Sequence, residues 1–166
     1  MRPARSLAVL ALALLLAACG WQLRGAGGGG FADVSVAVEG AVGNRILDQV
    51  AARLRDLGAD VVPSASDARL VIKVAEADSR RRTVATDADG FASEYELRYR
   101  MRFSVSPGGE AGPETVGLPS QTVQTSASYP ASPQDLQGQD AEEAFLRRDL
   151  RDDAIQLLLA RVGRQR

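Results

Sequence analysis

Residues 95–103, YELRYRMRF, set Tyr95, Leu97, Tyr99, Met101 and Phe103 at alternate positions with a charged residue between each pair. Successive side chains of a β-strand point to opposite faces. The spacing therefore predicts one apolar face to bury and, on the other, Glu96 followed by Arg98, Arg100 and Arg102. Guanidinium groups present planar forks of N–H donors, so a row of them suits phosphate or carboxylate binding. A denser basic cluster, Arg80-Arg81-Arg82, lies beside a hairpin loop. Each cluster also has a plainer explanation. The stripe reads more readily as a solvated face balanced by Glu94 and Glu96, the usual role of a charge run, or as a charged face set against a partner. The triplet reads equally as a solubilising strand edge.

Other chemistries are poorly supplied. The chain has 166 residues, no histidine and one cysteine. The commonest general base, the commonest zinc ligand and any internal disulfide are therefore missing. Glu94 and Glu96 share a strand face, but three neighbouring arginines would hold them ionised rather than tuned as acids. Asp87 and Asp89 lack a bidentate glutamate at calcium-loop spacing and read as a turn. No catalytic residue and no metal site is expected. With 20 basic and 21 acidic residues the charge is nearly balanced, which argues against a nucleic-acid partner.

The single cysteine has a different use. Arg2 and Arg5 precede an unbroken apolar run, residues 7–17, that ends in Leu16-Ala17-Ala18-Cys19. That run is shorter than the roughly 20 residues needed to span a bilayer and has the form of a secretory signal. Its end resembles the bacterial lipobox, in which the cysteine is acylated and becomes the first mature residue. Residues 1–18 are expected to be removed, and Cys19 to carry the only covalent group, a lipid rather than a cofactor. Each buried CH₂ of that lipid contributes about 0.8 kcal/mol to anchoring. By analogy with Gram-negative lipoproteins, Gly20 rather than aspartate after the cysteine permits export to the outer membrane. The glycines of 25–30 make residues 19–30 a tether, and Trp21 and Arg24 are candidates for docking at headgroups or on a partner.

One domain is expected over residues 31–166. Val34, Val36 and Val38 alternate as a first strand. Ile46, Leu47, Val50, Leu54 and Leu57 form one face of a helix, with Asn44 as cap and Gly58 as stop. DVVP at 60–63 suggests a short extended piece only. Leu70, Ile72 and Val74 begin a second strand that runs through 80–86 to a turn at 87–90, and the third strand is residues 91–105. A Gly/Pro-rich loop follows, then a weakly alternating fourth strand containing Val123, Thr125, Ala127 and Tyr129. The last helix is expected from Asp140 to Val162, with Asp140 and Glu143 as a capping box and Leu146, Leu150, Ala154, Leu157 and Leu158 as its buried stripe. Phe145 is assigned to the core. Glu143–Arg147 and Arg148–Asp152 are expected i,i+4 pairs. The order is β-α-β-β-β-α, an α+β two-layer sandwich with a mixed four-stranded sheet and both helices on one face.

Four segments taken together resemble the lipopolysaccharide-assembly lipoprotein family, LptE. They are LAACGWQLRG, LRDLGADVV, SEYELRYRMRFSV after a glycine-containing turn, and the C-terminal helix. CGWQLRG is the most specific, because export does not require tryptophan and arginine behind the lipidated cysteine. The likeness covers essentially the whole mature chain. It implies a non-enzymatic outer-membrane lipoprotein that assists assembly of the LptD β-barrel, plugs its lumen and helps deliver lipopolysaccharide to the outer leaflet. Under that implication Arg80, Arg81, Arg82, Arg98, Arg100 and Arg102 are the candidate lipopolysaccharide contacts. One departure stands out: residues 121–140 contain no basic residue and only Tyr129 as an aromatic. The alternative from another class is a lipid-anchored periplasmic carrier or adaptor, which would require a deep apolar pocket and no barrel.

Overall fold

The computed structural model describes residues 30–131 and 136–164, so Cys19, Trp21, Arg24 and residues 1–18 lie outside the described residues. Strand β1 (Ser35–Gly40) leads into helix α1 (Asn44–Asp56), strand β2 (Asp60–Val61) and a 3₁₀ turn at Ala65–Asp67. Strands β3 (Leu70–Thr86), β4 (Ala92–Pro107) and β5 (Leu118–Pro130) follow, and helix α2 (Leu136–Gly163) closes the fold.

The sheet has five strands in the order β2-β1-β3-β4-β5, one more than the alternation predicts. DVVP supplies the extra strand: Ser35 pairs with Asp60 and Val36 with Val61, in parallel. A two-residue ladder is too short to show alternation, and its backbone bonds come from being carried back beside β1 by α1. β1 also pairs in parallel with β3, and β3-β4-β5 form an antiparallel meander, so the sheet is mixed.

Both helices contribute to one apolar cluster. Val50 and Leu54 of α1 join Leu150, Ala154, Ile155, Leu158, Leu159 and Val162 of α2 over Val36, Ile72, Val74, Leu97, Met101 and Phe103 of the sheet. α1 ends as its sequence suggests: Gly58 takes φ 86° and its N–H reaches the Arg55 carbonyl at 2.9 Å. Its start differs, since Gly43 is the N-cap and no side chain caps it. α2 begins a turn before Asp140, which releases Glu143 from a capping role. Phe145 is 56 % exposed and Leu157 45 % exposed, so neither belongs to the core. The extended helix presents Ile155 and Leu159 inward instead. Arg147 pairs with Glu143 as expected, whereas Arg148 donates to the Ala144 carbonyl at 3.3 Å.

Among the described residues, the opposite face of the sheet is covered near β1 by a small cluster of Ala37, Ala68 and Val71. At the end of β1 the backbones crowd. A Cβ on Gly40 would collide with the Val74 carbonyl. Gly40→Ala is expected to destabilise the domain by about 1–3 kcal/mol through forced backbone movement. A urea midpoint equal to that of the native chain would show that β1 and β3 do not approach so closely.

Candidate functional site

β3 changes faces once before it reaches its arginines. Val74 pairs with Phe103 and Glu76 with Arg102, which leaves Ala75 unmatched as a bulge. Before it, even-numbered residues face the helices. After it, Ala77, Ser79, Arg81 and Thr83 do, opposite Met101, Tyr99, Leu97 and Tyr95. Arg80 and Arg82 therefore share the helix-free face with Arg98, Arg100 and Arg102, while Arg81 lies on the other side.

On the open face the register produces cross-strand rows. Glu76 stands beside Arg102 and Thr122, and Asp78 beside Arg100 and Gln124. Arg80 stands beside Arg98 and Ser126, and Arg82 beside Glu96 and Ser128. The like-charged Arg80–Arg98 row is relieved along the strands. Arg80 Nε bonds Asp78 at 2.9 Å, and Arg98 and Arg82 converge on Glu96 Oε2 at 3.0 and 2.6 Å. Arg82 foremost, with Arg98, holds the Glu96 carboxyl below the ordinary carboxylate range despite partial desolvation. Arg102 bonds Glu76 at 2.5 Å. Arg100 makes no ion pair among the described residues. Exposed pairs of this kind each contribute only about 0–1 kcal/mol, so an incoming phosphate can displace a carboxylate from its arginine at little cost. The arrangement is a basic platform of guanidinium groups, a donor set suited to anions, edged by Thr122, Gln124, Ser126 and Ser128 of β5.

Arg81 does different work. Its guanidinium lies 4.7 Å from the centre of the Tyr95 ring and bonds Glu143 Oε2 at 2.9 Å. The Tyr129 hydroxyl donates to the same oxygen at 2.7 Å, and Arg147 binds the other carboxylate oxygen. Tyr95 and Tyr129 pack with ring centres 5.7 Å apart. This cluster fastens the first half of α2 to β3, β4 and β5. The sequence marks Glu143 as a helix-start residue and as the i,i+4 partner of Arg147, but carries no signal that Arg81, Tyr95 and Tyr129 meet it. Asp87 is a turn residue: its Oδ1 accepts from the N–H groups of Asp89 and Phe91 at 3.0 and 2.8 Å.

The hollow between α1 and α2 has a volume of about 270 Å³ and is bordered by Gln49, Arg53, Asp56, Asp152 and Gln156. Ala52 and Ile155 complete the lining, so the hollow is mixed in character and open rather than a deep apolar pocket.

Residues 29–162 match the LptE family, described as lipopolysaccharide-assembly. The chain belongs to the LptE family. This is a non-enzymatic family of lipopolysaccharide-assembly lipoproteins, and the chain takes that general role from it. No curated protein matches the chain. Among solved structures, it is similar to lipoprotein B from Nitrosomonas europaea, with 24 % identity, a TM-score of 0.68, and coverage of 87 % of this chain and 90 % of that one. Rare lipoprotein B from Shewanella oneidensis shares 20 % identity at a TM-score of 0.66, over 79 % of this chain and 95 % of that one. A minor lipoprotein from Acinetobacter baumannii shares 18 % at 0.63, over 81 % and 94 %. At these identities the structural likeness concerns the fold: the LptE architecture is held while most side chains differ.

The Glu143 cluster gives a pH-dependent expectation. Burial raises the Glu143 carboxyl, but Tyr129, Arg81 and Arg147 outweigh it and set it below its ordinary value of 4.5. A carboxylate depressed on folding stabilises fully above its unfolded value and loses that stabilisation as pH falls through its folded one. Glu143→Gln should therefore lower the urea midpoint at neutral pH, with the difference from the native chain shrinking as pH falls below the ordinary carboxylate range. A constant difference across that range would show that the charge of Glu143 is immaterial. Glu143→Ala, which strands the Tyr129 hydroxyl and two arginines, should cost about 1–3 kcal/mol.

Proposed function

We propose that this lipoprotein is held to the outer membrane by a lipid on Cys19, sits within the lumen of the LptD β-barrel, assists the barrel's assembly and helps pass lipopolysaccharide to the outer leaflet. The observation that carries the reading is the uncovered face of β3-β4-β5 with Arg80, Arg82, Arg98, Arg100 and Arg102. Barrel lumens are polar, and a plug needs a polar surface to meet one. Lipopolysaccharide carries phosphates, which forked guanidinium groups bind with charge-assisted hydrogen bonds. Trp21 and Arg24 follow the lipid directly and suit the headgroup layer, where tryptophan is favoured. The family assignment supports the lipopolysaccharide role, and the fold supplies the candidate surface.

Arg81 leaves the set of lipopolysaccharide contacts proposed from sequence, because Glu143, Tyr129 and Tyr95 already engage it.

The test is a mild-detergent purification of the tagged, lipidated chain from outer membranes of its own host. A stoichiometric, heat-modifiable barrel should accompany it. A lone lipoprotein in the eluate would overturn the plug reading. Within that complex, replacing Arg80, Arg82, Arg98 and Arg102 together by alanine should weaken lipopolysaccharide binding about ten-fold or more, equivalent to about 1.4 kcal/mol, with the barrel retained. Unchanged binding in the combined variant would remove the phosphate role from this face. Arg81→Ala should instead lower the urea midpoint of the free chain, as expected of a residue that fastens α2.

A further inference from the structure

β1 stops at Gly40, but β3 continues for the length of another strand. The last ladder pair between them is Gly40 with Val74, followed by the Ala41 N–H bonding the Val74 carbonyl at 3.1 Å. From Glu76 to Thr86, β3 is paired with β4 on one side and, among the described residues, with no strand on the other. Such an edge presents a row of N–H and C=O groups ready to accept another chain. Where it begins, an open hollow of about 490 Å³ lies in line with β1. Val42, Ile46 and Ala77 border it toward the helices, and Asp78, Arg80 and Arg100 border it toward the open face.

The charges select the occupant. Glu76 is held by Arg102 and Asp78 by Arg80, so among the described residues the guanidinium of Arg100 is left at the rim without a counter-ion. An added strand that continues the line of β1 would set alternate side chains toward the two borders. A small apolar residue suits the Ala77 side, and a carboxylate suits the Arg100 side. The arginines and the bulges at the two ends of the segment are devices that keep free edges from pairing indiscriminately. Here they disfavour a basic or wholly apolar strand and leave an acidic one admissible.

We infer that the edge of β3 from Glu76 to Thr86 takes an extended, acidic segment of the barrel partner as a sixth strand, in the manner of β-strand addition. The inference rests on the barrel reading above and assigns Arg100 to the protein partner rather than to lipopolysaccharide. The experiment compares backbone hydrogen exchange in the purified complex with that in the full lipidated chain alone in detergent. A photocrosslinking residue at Asp78, with a control at Ser126 on the same face, identifies the neighbour. Strand addition expects alternate amides within 76–86 to exchange about ten-fold more slowly, or slower still, in the complex. It also expects the Asp78 crosslink to fall on a barrel segment containing aspartate or glutamate. A complex whose 76–86 amides exchange as in the free chain overturns strand addition and leaves the barrel reading standing. A crosslink only to lipopolysaccharide, to a second copy of this chain or to a segment without an acidic residue does the same. Failure of any barrel to accompany the chain overturns both.

Discussion

One unmatched residue, Ala75, determines what the distal half of β3 presents to each side. Up to Val74 the strand buries its even-numbered side chains under the helices, and beyond the bulge it buries the odd-numbered ones. Carried straight through, the first pattern would turn Arg80 and Arg82 toward α2, where two guanidinium groups would need buried partners. The bulge turns one arginine inward and two outward. The inward one, Arg81, meets a glutamate and a tyrosine ring, while the outward two complete a basic platform begun by β4. The same residue marks the place where β1 ends against β3 and where Gly40 must lack a side chain. Core packing, the charged face and the free edge all depend on this single offset.

Stability and reactivity are separated across the sheet. Apolar burial on the helix side, with fully buried Phe103, Met101, Leu97 and Leu158, supplies the driving force for folding. The open side of β3-β4-β5 contributes ion pairs that are individually weak. Loss of any one of those pairs therefore leaves the core beneath it undisturbed. The same pairs reconcile a chain of nearly balanced charge with a local row of arginines. The compensating acids stand among the arginines, so net charge conceals the platform.

The parts of this architecture legible in sequence are those written in long periodic segments. Tyr95 to Phe103 alternates cleanly because a strand with one buried face must, and the Ile46–Leu57 spacing makes α1 visible for the same reason. β2 is legible as an extended piece but not as a member of the sheet, because two residues cannot express a period and depend on the neighbouring β1 for their ladder. The start of α2 was misplaced because Asp140 and Glu143 imitate a capping box, while Gly138 weakens the helical pattern ahead of them. Phe145 and Leu157 were assigned inward by residue type and helical spacing, yet the sheet beneath α2 is met by Leu150, Ala154, Ile155, Leu158 and Leu159. The arginine stripe of β4 was readable to the residue. The sidedness of Arg80, Arg81 and Arg82 was not, because a bulge is a backbone event with no obligatory residue type.

The fold divides functionally along the strand axis. Around β1 the sheet is wide, with α1 and α2 on one face and the Ala37–Ala68–Val71 cluster on the other. Beyond Gly40 it narrows to β3, β4 and β5, covered by α2 alone. A three-stranded extension with one bare face and a free edge gains little from its own packing, so the Arg81–Glu143–Tyr129 cluster is what keeps α2 attached to it. The mobile attachment of a long ribbon would blur any binding geometry, since a constellation of side chains is only as well placed as the elements that carry it. In this domain the Arg81–Glu143–Tyr129 cluster on one face therefore sets the precision with which the arginines of the other face can meet a ligand.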